Sequence, residues 1–130
     1  MPSLDPLHLT PPVSLNRVRL VDLPSLDIDP AVKGKTGYEL ISSPALTALI
    51  CAQIDALQLD PALDDPALRL AFGACLEHAD APVRAAAESI ARQMGRNLGY
   101  LLLVLRRGDP ANRAARAEWD DSYWAHWAGI

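Results

Sequence analysis

Aromatic residues are scarce in this chain, which has one Phe, three Tyr and three Trp among 130 residues. β-Branched residues are also few, and much of the hydrophobic half is alanine and leucine. That balance disfavours a sheet core and favours helices. The two cysteines, Cys51 and Cys75, sit among apolar residues in separate predicted helices. They read as small buried thiols, not as a disulfide or metal site. Three histidines, His8, His78 and His126, stand far apart, and none has a partner at ligand spacing. No zinc site or Ser-His-Asp triad is therefore written into the spacing, and no cofactor is expected. A basic excess is missing: the net charge is −4, against a dedicated nucleic-acid partner. Long apolar runs are missing as well. "LGYLLLVL" at 98–105 is too short to cross a bilayer, and "MPSLDPLHLTPPVSL" lacks the basic opening and apolar stretch of a secretory signal. A cytoplasmic chain with no membrane partner is the expectation.

Proline, by contrast, is plentiful, with eleven residues. The length fits one domain, 1–130, in which 1–43 forms a proline-rich extended arm and loop and 44–130 is helical. In the arm, "VSLNRVRLVDL" (13–23) alternates imperfectly, as an edge or bulged strand does, so the arm is expected to supply one or two strands. "DIDPAVKGKTG" (27–37) reads as a loop. Beyond it, Ser43-Pro44, Asp65-Pro66 and Asp109-Pro110 each place a capping side chain before a proline, and Asp80-Ala81-Pro82 is a close variant. Helices are predicted over about 44–59, 66–78, 82–107, 110–117 and 121–128. The fold class is mainly α, a helical domain around one long central helix. Charge is uneven: residues 1–80 carry five basic and eleven acidic groups, and residues 81–130 seven and five.

The long helix carries the strongest pattern. Val83, Ala87, Ile90, Met94, Leu98, Leu101 and Leu105 recur at steps of three and four, which keeps them on one face. Leu102, Leu103 and Val104 widen this stripe, so the C-terminal end is expected to be buried on more than one side, with Leu98→Asp unfolding the domain. Gly95 and Gly99 are spaced for close approach of a neighbouring backbone. Arg106 and Arg107 suit the negative end of the helix dipole, and Gly108 is a natural stop.

"GKT" at 34–36 suggests a phosphate loop, but that motif needs glycine where Asp29 stands, and a loop explains it as well. The pairs Asp64/Asp65 and Asp120/Asp121 precede predicted helices, so capping accounts for them without acid–base catalysis. "RRGDPANRAAR" gathers Arg106, Arg107, Arg113 and Arg116 around a turn. These four offer an anion contact beside the amides after Asp109. A solvated corner with Asp109 as cap and ion-pair partner explains them without a ligand, and is preferred. All three tryptophans fall in the last twelve residues. Trp119, Tyr123, Trp124 and Trp127 are read as an interaction surface, since a short terminal helix does not shield such rings alone.

"MGRNLGYLLLVL" (94–105), preceded by an alanine-rich stretch, resembles the long helix in the C-terminal half of ROK-type sugar kinases and their actin/Hsp70/hexokinase relatives. The resemblance covers about residues 80–130. It implies a helix packed on a sheet, followed by a turn and a glycine-rich strand near a nucleotide. The family's Asp-x-Gly strand, Asn-Asp pair and zinc cluster are absent, so no catalytic, cofactor or metal residue carries over. The resemblance thus implies a non-catalytic helical segment or truncated relative, stabilised by self-association or a partner and inactive as a sugar kinase alone. An independent helical interaction domain that docks through its Trp-rich end is the alternative expectation, and an enzyme assembled from scattered polar residues is a third.

Overall fold

The computed structural model describes residues 15–130; His8 and Val13 lie outside them. The described chain is mainly helical, with two strands, β1 (Arg19–Leu20) and β2 (Lys35–Thr36), and six α-helices. The helices are α1 (Gly37–Ile41), α2 (Ser43–Ala52), α3 (Asp65–Cys75), α4 (Ala81–Arg107), α5 (Pro110–Ala114) and α6 (Asp121–Ala128). α4 is the long rod expected from the sequence. The residues divide into two compact units: a contiguous unit, Ile41–Arg96, and a split unit built from residues up to Leu40 together with Asn97–Ile130.

In the contiguous unit the helices start one residue earlier than the proline pattern suggests. Ser42, not Ser43, caps α2 by accepting from the Ala45 amide at 3.2 Å. Asp64, not Asp65, caps α3 by accepting from Ala67 at 2.9 Å. The doubled Ser-Ser and Asp-Asp pairs offer two candidates each, and the earlier one reaches the third amide of its helix, past the proline that has none to give. α2 ends at Ala52, short of the predicted 59. The following turns close at Gln58, whose φ is +56°. There Leu59 N donates to Ile54 O and Gln58 N to Asp55 O, the paired bonds of a Schellman stop without its usual glycine. Ile50, Leu57, Leu68, Phe72, Cys75, Val83, Ala87 and Ile90 form one buried cluster. This bears out the packing of α2 and α3 on the first half of α4. Each large side chain in it contributes about 1.5–3 kcal/mol by leaving water.

The split unit begins with a 3-10 turn, Leu15–Arg17, then β1 and β2, paired antiparallel with Arg19 opposite Thr36 and Leu20 opposite Lys35. Gly34 turns the chain at φ +84°, and its amide donates to Leu20 O. Gly37 has no room for a side chain, since a Cβ there would collide with the Leu15 carbonyl. The reading of 27–37 as loop misses both β2 and the helix that follows. Thr36 and Glu39 form a capping box: Thr36 N donates to Glu39 Oε1 at 3.1 Å, and Glu39 N to Thr36 Oγ1 at 3.4 Å. The T-x-x-E spacing is the signal for it. Val18, Leu20, Leu23, Leu101, Val104 and Leu105 are completely buried here. All three Trp and all three Tyr belong to this unit.

α4 departs from its predicted stripe after Met94. Asn97 is buried and Leu98 is 39% exposed, with Leu102 and Leu103 also outward. Counting only apolar residues steps from Met94 to Leu98, but the inward face runs 94, 97, 101, 104 at the true helical period. Asn97 holds its place in the core because its Nδ2 donates to the Leu40 carbonyl at 3.0 Å. The glycines are a second correction: apart from chain neighbours and the backbone of α4 itself, no described atom lies within 4 Å of a Cβ built at Gly95 or Gly99. Gly108 does end α4, at φ +57°, with its amide donating to Val104 O.

Candidate functional site

The four arginines of the 106–116 segment do not converge. Arg107 donates from Nη2 to the Pro24 carbonyl at 2.7 Å, and its Nε lies 3.1 Å from Asp109 Oδ2. Asp109 makes no side-chain cap bond to α5, because its carboxylate is turned toward Arg107. Arg113 donates to Gly108 O at 2.9 Å, pairs with Asp121 at 3.3 Å, and stands 5.5 Å over the Trp124 ring. Arg116 donates to the carbonyls of Arg17 and Ala115. Arg106 alone of the four has no hydrogen bond or ion pair among the described residues.

Asp120 caps α6 through the Tyr123 amide at 2.9 Å. The helix gathers Trp119, Tyr123 and Trp124 into a cluster with ring centroids 4.7–5.8 Å apart. Trp124 is 2% exposed and Trp119 7%. Two of the three indoles thus serve the chain's own core, and the area open to another molecule lies on the half-buried Tyr123 and Trp127. Burial raises the Tyr123 pKa, and a hydrogen bond from Trp127 opposes that rise.

Trp127, Ile130, Leu102 and Arg106 line a groove of about 190 Å³. It opens between α4 and α6, and the outward Leu98 stands one turn before Leu102 on α4. A smaller recess of about 140 Å³ in the contiguous unit is lined by Cys51, Ile54, Pro61 and Leu68. Cys51 is exposed; Cys75 is buried, and burial raises its pKa.

The residue that sequence reasoning missed most plainly is Asn112. It is 1% exposed. Its Oδ1 accepts from the amides of Val21 at 2.8 Å and Asp22 at 3.2 Å, and its Nδ2 donates to Asp22 O at 2.7 Å. One side chain thereby completes the backbone pairing of the segment after β1. In sequence it is one polar residue in "PANRA", with no signal separating it from a solvent-facing position. Among the described residues no group of three or more His, Cys, Asp or Glu is placed to hold a metal, and no helix is long and apolar enough to cross a membrane. No protein-family model, curated protein or solved structure matches the chain.

Proposed function

We propose that this chain is a non-catalytic helical interaction module that pairs with a second copy of itself through the outer face of α4. The observation that supports it is the row of outward leucines, Leu98, Leu102 and Leu103, each 36–43% exposed, running into the groove closed by Trp127 and Ile130. Contiguous apolar surface of this kind marks contact sites in soluble proteins. Gly99 leaves open space beside Leu98 and Leu102 on this face, so a second backbone meets no side chain at that position. A twofold axis across such a face brings the leucine row of each copy against that of the other.

Sedimentation equilibrium tests this. The parent chain is expected to show concentration-dependent dimers, and Leu98→Glu with Leu102→Glu to give a monomer of unchanged far-UV circular dichroism. A parent that stays monomeric at every concentration rejects the reading. In a second reading, kinship with ROK-type sugar kinases, the same outward leucines are the face that the family's sheet would cover. That reading has a different occupant for the face, so a measured twofold self-association separates the two.

A further inference from the structure

The groove between α4 and α6 joins one free cation to three apolar walls. Leu102 and Arg106 stand one turn apart near the end of α4, and they line the same 190 Å³ as Trp127 and Ile130. All four residues belong to the split unit. Leu102 is 43% exposed and Ile130 63%, and Trp127 is half-buried, so the groove is open to solvent.

The charge at its edge is not used inside the chain. Among the described residues no acidic group, the Ile130 carboxylate included, lies within ion-pair distance of Arg106. The four acids that follow Arg106 are engaged elsewhere. Asp109 pairs with Arg107 at 3.1 Å, Glu118 with Arg17 at 3.4 Å and Asp121 with Arg113 at 3.3 Å, while Asp120 accepts from the Tyr123 amide. The negative end of the α4 dipole favours a cation here but supplies only part of a charge.

Size and polarity narrow the ligand. Sites for drug-sized molecules measure about 300–1,000 Å³, so this groove takes a smaller body, a single ring or a short acyl chain. Its walls favour an apolar body, which leaves water on entering. One guanidinium carries one positive charge, and its parallel N–H groups match the two oxygens of a carboxylate.

We propose that this groove binds a small apolar monocarboxylate, its ring or chain against Leu102, Trp127 and Ile130 and its carboxylate on Arg106. The site shares Leu102 with the self-association face but does not rest on that reading. The two fail separately, since ligand binding is read on the monomer and self-association without ligand.

The test follows the Arg106 Nε–H and Trp127 indole N–H signals of the isotope-labelled chain while hexanoate is added, at protein concentrations where sedimentation shows a monomer. Acetate and hexanol are the parallel arms, since each carries one half of the ligand. Hexanoate should shift both signals saturably and bind at least about tenfold more tightly than either. Arg106→Gln, at an exposed position, should weaken hexanoate about tenfold and leave hexanol unchanged; unchanged far-UV circular dichroism shows that the variant is folded. Hexanol that binds as tightly as hexanoate, or an Arg106→Gln variant that binds hexanoate like the parent, would overturn the role of Arg106. Acetate that matches hexanoate would overturn the groove, since an exposed cation then meets any anion. The absence of a saturable response to hexanoate overturns the whole proposal.

Discussion

The two units of this protein reach order by different means. The contiguous unit relies on helical period: aliphatic side chains and Phe72 on α2, α3 and α4 share one buried cluster. The split unit has short elements, two strands of two residues each and helices as short as five. It is held by polar tethers, in which Asn112, Asn97, Arg107 and Arg116 each bond to backbone groups far away in sequence. Where elements are long, burial area suffices. Where they are short, many backbone groups lack partners within their own element, and side chains must supply them.

The largest break should come from Trp124→Ala, which empties the centre of the split unit and is expected to cost about 4 kcal/mol in urea denaturation. The matching lesion in the contiguous unit, Phe72→Ala, should cost about 3 kcal/mol. Hydrogen exchange, read separately over 41–96 and the rest, reports which unit each lesion loosens. Asn112→Ala should cost about 3 kcal/mol, because it leaves the Val21 and Asp22 amides without an acceptor. A loss under about 1 kcal/mol would mean that water replaces the tether.

Acid should sharpen the contrast. Asp22, Glu39 and Glu118, all in the split unit, have lowered pKa values. The first causes are the Lys33 bond to Asp22, the Thr36 amide on Glu39 and the Glu118 carboxylate's bond to its own amide. Groups depressed on folding contribute stability above their unfolded pKa and lose it as pH falls through the folded value. Tryptophan fluorescence reports only the split unit, and it should therefore change at a higher pH than the helical signal of 41–96. Coincident transitions would show that these carboxylates do not set the order of unfolding.

The smallest effects come from the outer face of α4. Leu98→Asp, at an exposed position, should change monomer stability by no more than about 0.5 kcal/mol. Gly95→Ala should add about 0.5–1 kcal/mol, since a methyl meets nothing there and glycine weakens a helix interior. A destabilised Gly95→Ala variant would show that the position is occupied.

Much of the contiguous unit could be read from the sequence. The α4 rod, the helices before it and their packing follow from period and capping, with errors of one residue at the caps and several at the end of α2. The Gly108 stop and both boundaries of α6 were legible for the same local reasons. The split unit was legible only in part. Asn97 and Asn112 are core residues because of their hydrogen bonds, and composition marks polar residues as surface. Leu98 was misplaced because hydrophobicity alone follows the leucines and ignores a buried amide. The tryptophans were recognised as needing cover, but the N-terminal strands that share their unit are about a hundred residues away in the chain, beyond any local pattern.

The interruption of one unit by the other also sets a schedule for synthesis. Val18 and Leu20 leave the ribosome about a hundred residues before Trp119 and Trp124. In the interval the whole of Ile41–Arg96 is free to collapse on its own neighbours. Folding of that stretch shortens the open chain between the two parts of the split unit, which lowers the entropy lost in bringing them together. The segment around β1 is therefore the part that waits longest with its apolar side chains uncovered, until the second part of its unit is made.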